Sequence, residues 1–264
     1  MKEEGKHYVD TSKITIREIS KAAGKDMIVK YHYTHAFSMC RYALGVFYES
    51  DTEDVLGNTE QLIGCLIYGY PVGRSAVTSV VDGLGKDECL ELTRLFIHDG
   101  YGSNIESFCM GQSFKWLKEN APNIKMLISY SDSEQGHLGG IYQATNWLFQ
   151  DTSQIQLMPN FGISLSNDPY KWIHSRTVFS KWGSHNIDKL KEAVGKDGYK
   201  EFWRKKEAPK NRYIQILGQT KGETKKLKSK LKHKVYPYPK NLEDYLPKIE
   251  HHETIEAENK VNFW

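Results

Sequence analysis

The chain between residues 130 and 150 combines ionisable groups with a permissive backbone. Asp132, His137 and Tyr142 lie between an apolar run typical of a strand and a run typical of a helix. Carboxylate, imidazole and phenol groups are common proton donors and acceptors in active sites. Glycines in the same stretch allow positive φ or a close approach to a ligand: Gly136, Gly139 and Gly140. The pattern indicates a site at a strand-to-helix corner.

Arg94 lies inside the apolar run at residues 89–97, on the same face of an ideal strand as Leu92 and Phe96. A guanidinium on an apolar face needs a partner, because burying an unpaired charge is very costly. If the strand before Asp132 is a neighbour, that carboxylate is the natural partner. An edge-strand arginine facing solvent, or a purely structural ion pair, would give the same pattern.

Tyr142 and Asn146 are four residues apart and therefore share one face of a predicted helix at 141–150. The start of that helix could hold an anion. The alternative is a glycine-rich connector in which the tyrosine hydroxyl bonds only to backbone.

Apolar periodicity along the rest of the chain predicts the elements that position these residues. Strands are predicted at 13–18, 42–48, 62–70, 89–97 and 124–130, with a last one at 154–158 or 162–165. Helices are predicted at 19–31, 105–119 and 141–150. This order favours an α/β (α+β) fold with a mixed central sheet covered by helices.

The net charge of +3 hides an asymmetry near the end of the chain. Residues 203–240 contain 13 Lys and Arg against two Glu, and residues 241–258 contain six acidic side chains. A basic block beside aromatic residues is typical of contact with a phosphate backbone. The alternative is a solvated basic helix at 223–234 with the acidic tail folding back on it.

Several classes of protein are disfavoured by composition. The four cysteines have no C-x-x-C spacing, which weakens the case for a zinc site or a disulfide framework. The first residues have no apolar h-region, and no run approaches the ~18 apolar residues of a membrane span. We therefore expect a reduced, cytoplasmic protein without a membrane anchor.

Three segments together resemble the Mom family of phage DNA modification proteins: Glu91–Leu95 (ELTRL), Tyr130–Asp132 (YSD) and Gly136–Trp147 (GHLGGIYQATNW). The resemblance implies a GNAT-like fold with a basic C-terminal extension, in which the fourth and fifth strands splay apart. It also implies catalytic roles for Arg94, Asp132 and Tyr142.

Members of that family act on adenine in DNA, and their product carries a carbamoylmethyl group on N6. The resemblance therefore implies a transferase in the cytoplasm of a bacterial host, encoded by a phage or prophage, that protects DNA from restriction. One acetyl transfer cannot attach a CH2 group to N6. A different donor, a rearrangement or a metal-assisted step is required.

An enzyme acting on adenine N6 must extrude the base from the duplex and hold it in a pocket. Aromatic side chains could stack on the base, and arginines could contact phosphates. The residues expected to bind substrate are Tyr31, Tyr33, His137, Asn146, Trp147, Arg176 and Arg212.

The segment at 98–107 occupies the place of the donor pyrophosphate loop in GNAT enzymes. Acetyl-CoA or another acyl-CoA would be bound there by Gly100, Gly102, Ser103 and Asn104. Asp99 and Glu106 depart from the usual pattern and would repel a pyrophosphate.

The family has also been linked to iron through a His-Tyr pair, which would be His32 and Tyr33 here. Tyrosine with histidine suits iron better than zinc. We favour the other interpretation of this segment, in which it supplies aromatic groove residues that stack a base.

The predicted domains are a catalytic core at 1–170, a basic DNA-binding extension packed on it at 171–240, and an acidic tail at 241–264. Expected partners are double-stranded DNA and a small-molecule donor. The sequence leaves the oligomeric state open, with a dimer as one option. Two other functions remain: a GNAT acyltransferase acting on another amine, such as a hypermodified pyrimidine in DNA, and a non-catalytic DNA-binding protein on a decayed fold.

Overall fold

The computed structural model describes residues 8–54, 56–72, 76–131, 133, 136–151, 161–168, 171–206, 210–243 and 248–255. The chain divides into two compact units. The first comprises Met1–Ser131, Gly139–Gln150 and Arg212–Tyr238, and the second comprises Asp132–Leu138, Asp151–Asn211 and Pro239–Trp264. The units are thus built from interleaved segments. The functional division predicted at residues 170 and 240 stays a prediction, because compactness does not show which segment binds DNA.

The secondary structure of the described residues includes strands and helices in alternation. The strands are β1 (Ile14–Glu18), β2 (Tyr42–Glu49), β3 (Glu60–Gly69), β4 (Cys89–Ile97), β5 (Met126–Ser131), β6 (Leu148–Gln150), β7 (Phe161–Ser164), β8 (Ile173–His174), β9 (Glu201–Lys206), β10 (Asn211–Ile216) and β11 (Lys248–Glu253). The helices are α1 (Lys21–Tyr31), α2 (Ile105–Asn120), α3 (Gly140–Ala144), α4 (Ser175–Trp182), α5 (Ile187–Lys196) and α6 (Lys221–Lys228). The predicted α/β class is confirmed.

A seven-stranded mixed sheet, in the order β1-β2-β3-β4-β5-β10-β6, organises the first unit. β1 to β4 form an antiparallel meander, and β4 then pairs with β5 in parallel. That parallel pairing covers only Cys89–Glu91 against Met126–Ile128, although β4 runs on to Ile97 and β5 to Ser131. The two strands therefore separate after three residues, as the predicted splay requires. We call the resulting space, with the side chains that border it, the splay cleft.

Buried apolar side chains hold helices against this sheet. The predicted first helix is confirmed as α1, which begins where Ser20 accepts a hydrogen bond from the Ala23 amide and buries Met27 and Ile28. α6 buries Leu227 in a cluster that includes Met126 on β5 and Ile214 on β10. Burial of such side chains stabilises each by about 1.5–3 kcal/mol relative to exposure.

The predicted helix at 141–150 is wrong over its second half. α3 ends at Ala144, Asn146 has a positive φ of 59°, and β6 then pairs antiparallel with β10. The physical reason is burial: Trp147 and Phe149 are almost completely buried in the core, which an edge strand achieves here and a continued helix does not. The predicted basic helix at 223–234 is shorter as well, because α6 ends at Lys228.

The second unit contains a four-stranded sheet in the order β11-β9-β7-β8. β7 confirms the predicted strand at 162–165; the other option, 154–158, lies outside the described residues. A cluster of apolar side chains packs α4 and α5 on this sheet: Phe161, Ile163, Val178, Leu190, Val194 and Phe202. β11 pairs antiparallel with β9, and Glu250 lies 2.9 Å from Lys206. Part of the acidic tail therefore folds back on β9, at the start of the basic block, and not on the basic helix that the sequence indicated as its partner.

No helix in the described parts of the chain has the length and apolar character needed to cross a membrane.

Candidate active site

Tyr142 is the centre of the splay cleft. It lies in the short helix α3, and the Ser129 hydroxyl on β5 is 2.8 Å from both its phenolic oxygen and the Leu92 carbonyl oxygen. A serine hydroxyl has one hydrogen, and a carbonyl only accepts. When Ser129 donates to Leu92, Tyr142 must be the donor to Ser129. The three residues form a directed hydrogen-bond chain that ends on the backbone of β4.

The environment of Tyr142 keeps its phenol protonated. Burial raises the pKa of Tyr142 to about 12, and the hydrogen bond with Ser129 acts in the opposite direction. The nearby Tyr33 and Glu91 raise the pKa further, since added negative charge beside a phenolate is unfavourable. At neutral pH this side chain can therefore donate a proton but cannot serve as a base.

Tyr213 on β10 supports Tyr142 from the other side. The two rings stack with centroids 4.9 Å apart and planes at 28°. Gly139, with φ of +80°, lies directly under Tyr213: a Cβ atom there would be 2.4 Å from Tyr213 Cε2. Only a glycine combines that backbone conformation with that approach. The predicted role of Gly139 in letting the backbone adopt positive φ is confirmed, and the close approach it permits is to a side chain of the same chain.

Arg94 is half-buried on β4, with its guanidinium held by backbone carbonyls. Its Nε donates to Ala36 O at 3.0 Å and its Nη1 to Thr93 O at 2.6 Å. The predicted partner Asp132 lies outside the described residues, so the predicted ion pair stays a prediction. These two hydrogen bonds fix the orientation of Arg94. Because carbonyl groups carry no net charge, they do not neutralise the guanidinium.

Aromatic residues at the end of α1 and just after it border the cleft near Arg94. Tyr31 stacks on Phe96 with centroids 5.7 Å apart, and Tyr33 stacks on His32 at 4.4 Å. Tyr33 is 58% exposed and Tyr31 41% exposed, whereas His32 is 7% exposed. The two tyrosines therefore present ring surface to solvent, which a role in stacking requires.

His32 is held in its neutral form. Burial lowers the pKa of His32 to about 4, and the charges of Arg94 and His35 act in the same direction. Its Nδ1 accepts a hydrogen bond from the Thr34 amide at 3.2 Å. That contact assigns the proton of the neutral ring to Nε2.

The geometry does not fit an iron site built on His32 and Tyr33. Their rings lie against each other at an angle of 28°, and Nδ1 of His32 is already used by Thr34. Among the described residues, no group of three or more His, Cys, Asp or Glu side chains could hold a metal ion. The structure thus gives no support to the iron expectation, and we derive no step through a metal.

The predicted donor loop has a suitable backbone but an unsuitable charge. Gly100 and Gly102 have φ of 98° and 106°, and Asn104 precedes α2 in a left-handed conformation without capping its amides by a side chain. A groove of about 400 Å³ lies there, and it is lined by Tyr8, Val9, Thr11, Ser103, Asn104, Ser107, Phe108 and Ala144. No Lys or Arg is among these lining residues, so a phosphate there would depend on backbone amides and on hydroxyl groups such as those of Thr11, Ser103 and Ser107.

Two predicted substrate-binding residues need correction. Trp147 is completely buried and packs against Tyr142 at 5.2 Å, so its ring has no face for a base. Arg212 is 6% exposed, and its Nε and Nη2 donate to Gln150 Oε1 at 3.0 and 2.7 Å. It cannot grip a phosphate; it positions β10 against β6 instead.

The remaining predicted residues are divided between the units. Asn146 is exposed just after α3 in the first unit. His137 and Arg176, both exposed, belong to the second unit, and their predicted roles stay predictions. The sequence reasoning missed Ser129 and Tyr213. Ser129 is one serine in an apolar strand, which is no signal. Tyr213 is one of the aromatic residues of the basic block, where the sequence indicated contact with a phosphate backbone and not support for Tyr142.

Comparisons with known proteins agree with the sequence resemblance. The methylcarbamoylase Mom of Escherichia phage Mu is 26% identical over 237 residues, which are 87% of this chain and 85% of that protein. Among solved structures, the spermidine/spermine N-acetyltransferase SpeG of Vibrio cholerae is 8% identical, with a TM-score of 0.38 over 78% of this chain and 94% of that chain. A probable acetyltransferase from Staphylococcus epidermidis is 11% identical, with a TM-score of 0.37 over 77% and 98%. Scores this low carry no argument here.

The family comparison is decisive, because it covers most of the chain and includes every strand of the first unit's sheet. The model of the Mom protein family matches residues 13–240. The chain belongs to the Mom protein family.

Proposed function

We propose that this protein is a DNA-modifying transferase that attaches a carbamoylmethyl group to N6 of adenine in double-stranded DNA and so protects that DNA from restriction. The observation that carries the proposal is the half-buried, protonated Tyr142 at the splay cleft of a chain that matches the Mom family over residues 13–240. The name of the phage Mu relative, a methylcarbamoylase, supports the transferred group. Such a protein works in the cytoplasm of the host cell.

The exposed aromatic rings beside the cleft support the binding of an extruded base. Adenine N6 is hidden in the duplex. Extrusion of the base costs a few kcal/mol of free energy, which contacts in the pocket must offset. Tyr33 and Tyr31 expose ring surface near Arg94 and can stack on the base, each stack contributing about 1–3 kcal/mol. Because the Trp147 ring is buried, we assign the stacking role to Tyr31 and Tyr33.

Proton transfer can be divided among the three residues predicted to be catalytic and Ser129. Asp132 accepts the N6 proton as the new bond forms, and Arg94 keeps that carboxylate ionised. Tyr142 donates a proton to the leaving group, and Ser129 then turns its hydroxyl from Leu92 to the phenolate. The 2.8 Å spacing of Ser129 to both oxygens supports this exchange, because neither bond requires the side chain to move far.

The small-molecule donor is the least constrained part of the proposal. A thioester activates its carbonyl carbon and alone would leave an amide on N6, so the carbamoylmethyl product needs a donor with its leaving group on the CH2 carbon, or a rearrangement after acylation. If the donor is an acyl-CoA, Gly100, Gly102, Ser103 and Asn104 would hold its phosphates through backbone amides. Gly100 has open space beside it, whereas Gly102 packs against the backbone of Val9, and the carboxylates of Asp99 and Glu106 oppose an anion.

Nucleoside mass spectrometry of DNA from cells that express the protein tests the proposal. We expect a modified deoxyadenosine of carbamoylmethyl mass with the wild type, and at least a hundredfold less with Tyr142→Phe, because general acid catalysis contributes about 10²–10⁴-fold. Tyr199→Phe is the matched control, since Tyr199 is an exposed tyrosine of the second unit. A modified pyrimidine, or DNA without any modification, would contradict the proposal.

A further inference from the structure

A second concave surface lies at the start of α6. Its volume is about 450 Å³, and its lining combines the loop before α6, one face of α6 and the last turn of α2. The lining residues are Lys118, Gly218, Gln219, Thr220, Lys221, Thr224, Lys225 and Lys228. We call this surface the lysine groove.

The charge of the lysine groove is positive and uncompensated. Its four lysines form no ion pair within the described chain, and none of its lining residues is acidic. Glu223, the acidic residue of α6, turns away: it lies 2.9 Å from Lys125 and accepts a hydrogen bond from the Gln219 amide. A groove that concentrates one sign of charge attracts a polyanion.

The frame of the groove is rigid, which distinguishes it from a flexible lysine tail. Gln219 donates to the carbonyl oxygen of Lys118 at 3.2 Å and so ties the loop to α2. A Cβ at Gly218 would be 2.5 Å from the Thr224 amide, so loop and helix are in close contact. Leu227 anchors the opposite face of α6 in the core. The lysines are therefore presented by fixed backbone.

We infer that the lysine groove binds the phosphate backbone of duplex DNA beside the base that is modified; the inference rests on the proposed function. Lys221, Lys225 and Lys228 follow one face of α6 at helical spacing and span about 10 Å of its axis. One DNA strand offers a phosphate about every 3.4 Å of duplex axis. Over about 10 Å of duplex axis one strand presents about four phosphates, which is enough for each of the three lysines to contact one.

The lengths of one helix and one strand give the distance between the groove and the cleft. Lys118 of the groove lies eight residues after Met110 on α2, a separation of about 12 Å along the helix axis. Thr145, beside α3, contacts the Met110 sulfur. Lys125, which pairs with Glu223 below the groove, lies four residues before Ser129, and this is about 13 Å of strand. At about 3.4 Å per base pair, the contacted phosphates lie on the order of four base pairs from the extruded adenine.

Salt-dependent binding of a labelled duplex tests the inference. The variant Lys221→Ala/Lys225→Ala/Lys228→Ala, made in full-length protein, should lower the slope of log K against log salt by about 3 and weaken binding at 0.1 M salt on the order of 10²-fold. The matched control, Lys226→Ala/Lys230→Ala/Lys234→Ala, removes the same charge from lysines outside the groove and should lower the slope by less than about 1. Replacing the three groove lysines with Arg should preserve the wild-type slope.

The outcomes separate this inference from the proposed function. If the wild type binds duplex DNA and the Ala variants of the groove and of the control lose the same slope, the groove is not the contact and the inference is wrong. The same holds if the Arg variant loses the slope, because then the fold of α6 and not its charge is responsible. If the wild type modifies no deoxyadenosine but the groove variant still loses duplex affinity selectively, the proposed chemistry fails and the groove stands.

Discussion

The splay cleft and the lysine groove belong to the same compact unit but differ in whether their polar groups have partners within the protein. In the cleft, Ser129 is 1% exposed and its hydroxyl is shared between Tyr142 and the backbone. In the groove, Lys221 and Lys225 are exposed and have no ion-pair partner in the described chain. Hydrogen bonds made within the protein suit a catalytic site, because they fix the positions of protons before substrate arrives. Unpaired charge suits a polyanion, because the ligand supplies the missing partners.

The comparison makes the two surfaces separable by substitution. Changes in the cleft should reduce modification and leave the salt dependence of DNA binding unchanged. Substitutions in the groove should mainly change the salt dependence of DNA binding. Each prediction below tests this separation, beginning with the largest expected effect.

Gly139→Ala should have the largest effect on the cleft. The new methyl group would overlap the Tyr213 ring, and the residue has a left-handed φ of +80°. Overpacking costs about 1–3 kcal/mol and the left-handed conformation about 1–2 kcal/mol, so we expect a loss of about 2–5 kcal/mol of stability. Chemical denaturation measures it. Gly136→Ala is the control, since φ is +77° there but no atom lies within 4 Å of the new Cβ. Equal losses for both variants would contradict the packing argument.

Acid should destabilise the fold at the cleft. The folded-state pKa of His32 is about 4, below its ordinary value of 6.5, so the unfolded state binds the proton more readily. The stability contributed by neutral His32 is fully present above pH about 6.5 and is lost as the pH falls towards 4, by at most about 3 kcal/mol.

Thermal unfolding of the wild type and His32→Gln between pH 7 and 4 measures this contribution. The variant should lose part of the wild-type pH dependence, whereas His233→Gln, which changes another histidine of the first unit, should retain it. Identical pH dependence for wild type and His32→Gln would show that His32 is not held neutral.

Much of the sheet and part of the cleft follow from local sequence. The apolar runs at 89–97 and 124–130 predict β4 and β5 because strand length and alternation are local properties, and Arg94 and Tyr142 then fall near their splayed ends. β6 was missed because its partner β10 lies about sixty residues away, and apolar spacing at 147–149 fits a helix equally well. Which cations of the basic block are buried is also a tertiary property. Arg212 is buried against Gln150, while the α6 lysines stay open.

The smallest predicted effect concerns a third basic surface, on β9. Arg204 and Lys206 belong to the same basic block as the groove lysines, but Glu250 of β11 lies 3.8 and 2.9 Å from them. β11 lies beyond residue 240, where the family match ends. A partly exposed ion pair contributes about 0.2–1 kcal/mol, so Glu250→Gln should raise duplex affinity by about fivefold at most. Glu253→Gln, on the same strand, should change it less. If Glu250→Gln instead weakens binding, or leaves it equal to Glu253→Gln, β9 takes no part in DNA contact, and the groove on α6 is the basic surface that the duplex uses.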